Sequence, residues 1–152
     1  MQEIKENIWK FKNEEEWIVI CTNGSIKESG ESIMTDNKIS SQADIIYDMD
    51  KELGDLVAKK GNIPFVFSDI NIITLPVKDT IDSDISIDLI KTGVTKLVRL
   101  VNKLKLEKVY ISKLDTENKT NWKKRIRPFL KIALDDRFVI VTFVKEKEKE
   151  KY

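Results

Sequence analysis

Three polar stretches hold the side chains of this 152-residue chain that are best suited to chemistry. The first is TNG (Thr22–Gly24), where an amide side chain precedes a glycine at the end of an apolar run. The second is IMTDNKISSQAD (Ile33–Asp44), which sets Asp36 beside Lys38. The third is SKLDTENKTNW (Ser112–Trp122), which mixes Lys113, Asn118 and Lys119 with two acids and has no glycine. Carboxylate, ammonium and amide groups are the available tools, because the chain contains no histidine. That removes Ser–His and Cys–His nucleophilic pairs and imidazole acid–base work near neutral pH. It also removes most transition-metal sites, so neither a metal nor another cofactor is expected. Cys21, the single cysteine, lies inside the apolar run and reads as a small buried thiol. It has no internal disulfide partner, and a reducing cytoplasm is the expected setting.

The elements that must position these groups follow from the pattern of apolar residues. WIVICTN (Trp17–Asn23) and FVIVTFV (Phe138–Val144) are nearly continuous β-branched and aromatic runs, as in strands buried on both faces. PFVF (Pro64–Phe67), INIITLPV (Ile70–Val77) and KVYIS (Lys108–Ser112) add three more, and EIKENIWKF near the start alternates as an outer strand. From Ile85 to Leu104 the apolar residues fall on one helical face, with Asp84 or Ser86 as the cap. Asn121 is the expected cap of a second helix carrying Trp122, Ile126, Phe129 and Leu130. Between Ser40 and Lys60 one broken helix or two short ones end at Gly61. Strands alternating with helices predict an α/β chain, a three-layer sandwich around a mixed, mostly parallel sheet. One domain over residues 1–144 is expected, followed by an alternating charged tail over 145–152.

Charge narrows the partners. Lys and Arg number 27 against 26 acids, a net charge of +1, so no global field favours nucleic acid or an anionic membrane. Lys123, Lys124, Arg125, Arg127 and Lys131 cluster in NWKKRIRPFLK, which reads first as the solvated face of an amphipathic helix. No apolar run approaches the length needed to span a membrane.

Taken in order, NIWKF, WIVICTNG, LGDLVAKKGN, IITLPVK, LEKVYI and W…RPFL…LDDRFVIV resemble a macro domain, the ADP-ribose-binding α/β fold. The resemblance is nearest to the ADP-ribose-1″-phosphate phosphatase-like branch and spans nearly the whole chain. It implies an adenine contact at Asn7, where the family carries an aspartate. It implies a distal-ribose contact at Asn23, flanked by Thr22 and Gly24, with Asn23 as a weak catalytic candidate. Met34 keeps the frame of a ligand loop in which Asp36 and Lys38 stand where the family has glycines. Lys113, Asn118 and Trp122 belong to the segment that replaces the family's diphosphate loop. Phosphatase or ADP-ribosyl hydrolase activity is what the family implies, whereas the missing glycines and histidine speak for a pseudoenzyme. Two functions therefore stand: binding of an ADP-ribose-like molecule through an altered pocket, or a degenerate fold serving as a protein-interaction module. Lost backbone contacts to a diphosphate, at roughly 1.5–3 kcal/mol each, can consume most of a micromolar affinity of about 8 kcal/mol.

Overall fold

A computed structural model describes residues 1–114 and 118–144. The tail expected over 145–152 and the loop residues Asp115, Thr116 and Glu117 lie outside the described residues. In chain order the strands are β1 (Gln2–Glu6), β2 (Trp17–Asn23), β3 (Phe65–Phe67), β4 (Ile72–Lys78), β5 (Val109–Ser112) and β6 (Phe138–Phe143). The helices are α1 (Trp9–Asn13), α2 (Lys38–Tyr47), α3 (Asp50–Lys60), α4 (Ile87–Leu104), α5 (Lys119–Asn121) and α6 (Arg127–Ala133). A π-helical segment, Trp122–Ile126, joins α5 to α6.

The strands form one sheet in the order β1-β6-β5-β2-β4-β3, parallel throughout except for β3 against β4. The apolar runs become central strands because both faces of each are covered. Side chains alternate between the faces: Val19 and Cys21 join the core under α4 and α6, while Ile18 and Ile20 join the core under α2 and α3. Phe138 and Ile140 divide from Val139 and Val141 in the same way. Period-two alternation thus builds two cores from one strand, giving the expected three-layer, mixed and mostly parallel sandwich.

Local chemistry sets the helix ends. Ser86 is the cap of α4, its Oγ accepting from the Leu89 amide at 3.1 Å. Gly61 closes α3 with φ 92°, a conformation open to glycine. Gly54 is required for packing: a Cβ there would lie 2.0 Å from the Gly30 carbonyl oxygen, so α3 seats directly on the preceding loop.

Two local expectations are corrected. EIKENIWKF is not one strand. β1 ends at Glu6, Asn7 Oδ1 accepts from the Trp9 amide at 3.0 Å, and the chain turns into α1 with Ile8 buried. Nor is Asn121 the helix cap. Asn118 accepts from the Asn121 amide at 2.9 Å, one turn earlier. The wider π turn that follows lets Trp122 and Ile126 both face the core.

Candidate ligand cleft at the strand ends

The sheet opens where its two halves part. β2 pairs with β5 only as far as Val19 and Ile111, then continues to Asn23 alongside β4. β5 runs on beside β6 as far as Ser112 and Val141. Connections lead outward on both sides of this seam, and ligands in open α/β sheets bind in the crevice such a switch creates. The Cys21 thiol spans the seam, donating to the Ser112 carbonyl oxygen at 3.5 Å. Above it lies a cleft of about 770 Å³, counting the space open to solvent. Val77 and Lys78 line one side, Ser112, Lys113, Val141 and Phe143 the other, and the start of α2 the rim.

The α2 end is held by side chains. Asn37 adopts an extended conformation and caps the helix, its Oδ1 accepting from the Ser40 amide at 2.8 Å. The same side chain donates through Nδ2 to the Cys21 carbonyl oxygen at 3.0 Å, and Ser40 Oγ donates to that oxygen as well. Beyond Val19, where β2 has lost its β5 neighbour, α2 thus supplies partners for the strand. No described residue of this loop has positive φ, so the stretch from Thr35 to Lys38 follows a path that needs no glycine.

The opposite wall is held by apolar contact. Leu114 is only 1% exposed and anchors its loop in the α4–α6 core. Lys113 Nζ lies 4.9 Å from the centroid of the buried Trp122 ring, within cation–π range. Lys38 Nζ similarly lies 4.7 Å from the Phe143 ring centroid. The cleft thus carries three ammonium groups, on Lys38, Lys78 and Lys113, and one carboxylate, on Asp36. Asp36 Oδ1 is buried without a hydrogen-bond partner. Burial, reinforced by the Asp36 charge, pushes the Cys21 thiol up to about 12, so it is neutral and a poor nucleophile.

Asp36, Lys38 and Lys113 line the cleft together, from segments 75 residues apart. Trp122 supports Lys113 from below. The remaining expected contacts are not among the residues that line this cleft. Asn7 is occupied as the α1 turn residue, and Asn118 caps α5. Thr22 and Met34 are buried. Asn23 is 1% exposed and bonded at both ends: Nδ2 donates to Ile33 O at 3.0 Å and Oδ1 accepts from Ser25 N at 2.8 Å. It ties the end of β2 to the loop that follows. At Gly24 a Cβ would meet the Asp79 carbonyl oxygen at 2.5 Å, so close packing requires the glycine.

Sequence reasoning did not single out Asn37, Val141 or Phe143 as lining residues. Asn37 had a legible signal, since Asn-x-x-Ser is the spacing of a helix cap and its amide target. Phe143 had none, because an aromatic at the end of a buried strand reads as core. Away from the cleft, Asp44, Asp48 and Asp50 place carboxylate oxygens within 4.8 Å of one another. Asp44 there accepts from the Asp50 amide at 3.0 Å, an ordinary link between α2 and α3.

No protein-family model matches the chain, and no curated protein matches it. Solved structures do. The macrodomain of Thermus aquaticus DarG superposes with a TM-score of 0.63 at 15% identity, covering 93% of this chain and 96% of that one. The macrodomain of Mycobacterium tuberculosis DarG gives 0.62 at 15% identity, covering 93% and 99%. Thermosipho africanus DarTG, solved in complex with ADP-ribose, gives 0.63 at 12% identity over 96% of this chain and 43% of that one. At such low identity, what is shared is the architecture, and this chain has the macrodomain fold.

Proposed function

We propose that residues 1–144 form one domain whose seam cleft binds ADP-ribose or a related nucleotide derivative through an altered set of contacts. The observation that carries this reading is the meeting of Lys38, Lys78 and Lys113 over the parted strands β2 and β5. Ammonium groups there offer a diphosphate the charge-assisted hydrogen bonds that glycine loops offer through backbone N–H groups. One neighbour of the same fold was solved with ADP-ribose bound. Phosphatase chemistry of the 1″-phosphate kind is not favoured. Asp36 is the one carboxylate on the described lining, the Cys21 thiol is neutral, and the chain has no histidine. The reading is thus of a divergent, binding-competent pseudoenzyme. Asn7 and Asn23 are the positions at which contacts implied by the family resemblance can be tested.

Calorimetric titration with ADP-ribose tests the proposal. Saturable binding at or below roughly 10 μM, about 7 kcal/mol, is expected, weakened about tenfold by Lys113→Ala. No heat at millimolar ligand overturns it. Phosphate release from ADP-ribose-1″-phosphate is expected to stay at background.

A second reading, an interaction module that no longer holds a nucleotide, is favoured by one feature. Ile45 and Ile46 of α2 are 81% and 57% exposed, adjacent apolar side chains on an outer helix. Retention of the chain's binding partners after Ile45→Ser/Ile46→Ser would remove it.

A further inference from the structure

The two helical layers differ sharply in charge. On one side of the sheet, α4, α5, the π segment and α6 carry ten Lys or Arg and a single acid, Asp88. On the other, α1, α2 and α3 carry six basic and four acidic residues. A net charge of +1 for the whole chain hides this asymmetry. We propose that the outer surface of the α4–α6 layer is a docking surface for the phosphate backbone of duplex nucleic acid, independent of base sequence.

The basic residues do not have the pattern of a merely solvated face. Helix α3 has that pattern, with acids interleaved among its lysines, as in Asp55 and Lys59 at i,i+4 spacing. Along α4, Arg99 and Lys103 stand at the same spacing with like charge, an arrangement that costs a helix stability. Across the layer Lys123, Lys124 and Arg125 are consecutive and exposed, and no acid occurs between Asn118 and Leu134. Among the described residues the layer's one ion pair is Arg127 with Glu3, at 2.9 Å on its β1 edge. Packing joins the two helices into one surface, since Lys91 of α4 lies over the Phe129 ring of α6 at 5.7 Å.

Geometry distinguishes backbone docking from base reading. The 18 residues of α4 span about 27 Å, the length of roughly eight base pairs. Proteins that hold single strands present aromatic rings to stack on bases. Here Trp122 is buried and Phe129 is half-buried under Lys91, so cations form the exposed surface. The docking surface shares no residue with the cleft lining and is independent of nucleotide binding there.

The test is fluorescence anisotropy of the full chain with a labelled random-sequence duplex at 50 and 200 mM salt. With about six phosphate contacts, affinity falls roughly a thousandfold across that range. Lys123→Gln/Lys124→Gln/Arg125→Gln should flatten the slope of log affinity against log salt by about 2.7. Circular dichroism checks that this triple variant folds. Lys59→Gln/Lys60→Gln on α3 should leave binding unchanged. Absence of salt-dependent binding at 50 mM, or an unaltered slope in the triple variant, overturns the proposal. So does equal or tighter binding to polyglutamate or to phosphatidylserine vesicles, which would assign the surface to an acidic protein or a membrane.

Discussion

The two segments that wall the cleft are held in different ways. At the α2 end polar side chains hold the chain: Asn37 and Ser40 bond the Cys21 carbonyl, beyond the point where β2 parts from β5. At the α5 end an apolar anchor holds it, with Leu114 sunk in the core and Lys113 laid over Trp122. A hydrogen-bonded clamp is directional and tolerates little displacement, whereas an apolar anchor resists withdrawal but allows sliding. The α2 rim therefore fixes the position of Asp36, while the opposite wall presents an ammonium group on a long stem.

Breaking the anchor should have the largest effect. Leu114→Ala leaves a cavity under the loop and is expected to cost about 2–5 kcal/mol in denaturant unfolding. Breaking the clamp comes next. Asn37→Ala removes a helix cap and a strand-end partner, for about 1–3 kcal/mol by the same measurement. Cys21 reports on both walls. Because its thiol titrates near 12 in the folded chain against about 9 unfolded, the stability it contributes is complete below pH 9 and is lost as pH rises toward 12. Alkylation by iodoacetamide at pH 8 should be slow in the folded protein and faster in Asn37→Ala than in Lys113→Ala. The reverse order would assign the burial of Cys21 to the α5 wall. Lys113→Ala should have the smallest effect on stability, about 0.5–1 kcal/mol from the lost cation–π contact, seen as a small drop in Tm.

Five of the six strands, β2 to β6, were legible to within two residues. WIVICTN is β2 as read, because a strand buried on both faces writes a continuous apolar run. The α4 cap was legible for the same local reason, a serine placed three residues before the amide it accepts from. Periodicity says less where one residue can have two uses. Asn7 and Asn23 were expected as ligand contacts because the family resemblance implies an adenine contact at one and a distal-ribose contact at the other. Within the chain their side chains bond Trp9, Ser25 and Ile33, partners set by loop geometry that no periodicity encodes. The cleft lining was half legible: Asp36, Lys38 and Lys113 stood out as charges, while Phe143 came from the far end of the chain and met Lys38 only through the fold.

The position of β6 has a consequence for how the chain reaches this state. β6 lies between β1 and β5, so among the described residues the ladder partners of residues 2–6 are residues 139–143. As the chain is synthesised, β1 emerges first and waits through more than 130 residues for its neighbour. During that interval its backbone donors and acceptors are unpaired, available to a chaperone or to another nascent strand. Closing so long a loop raises the contact order, which slows folding. The sheet can be completed only once β6 has been made, and a chain halted before Phe138 would leave both β1 and the β6-facing edge of β5 open.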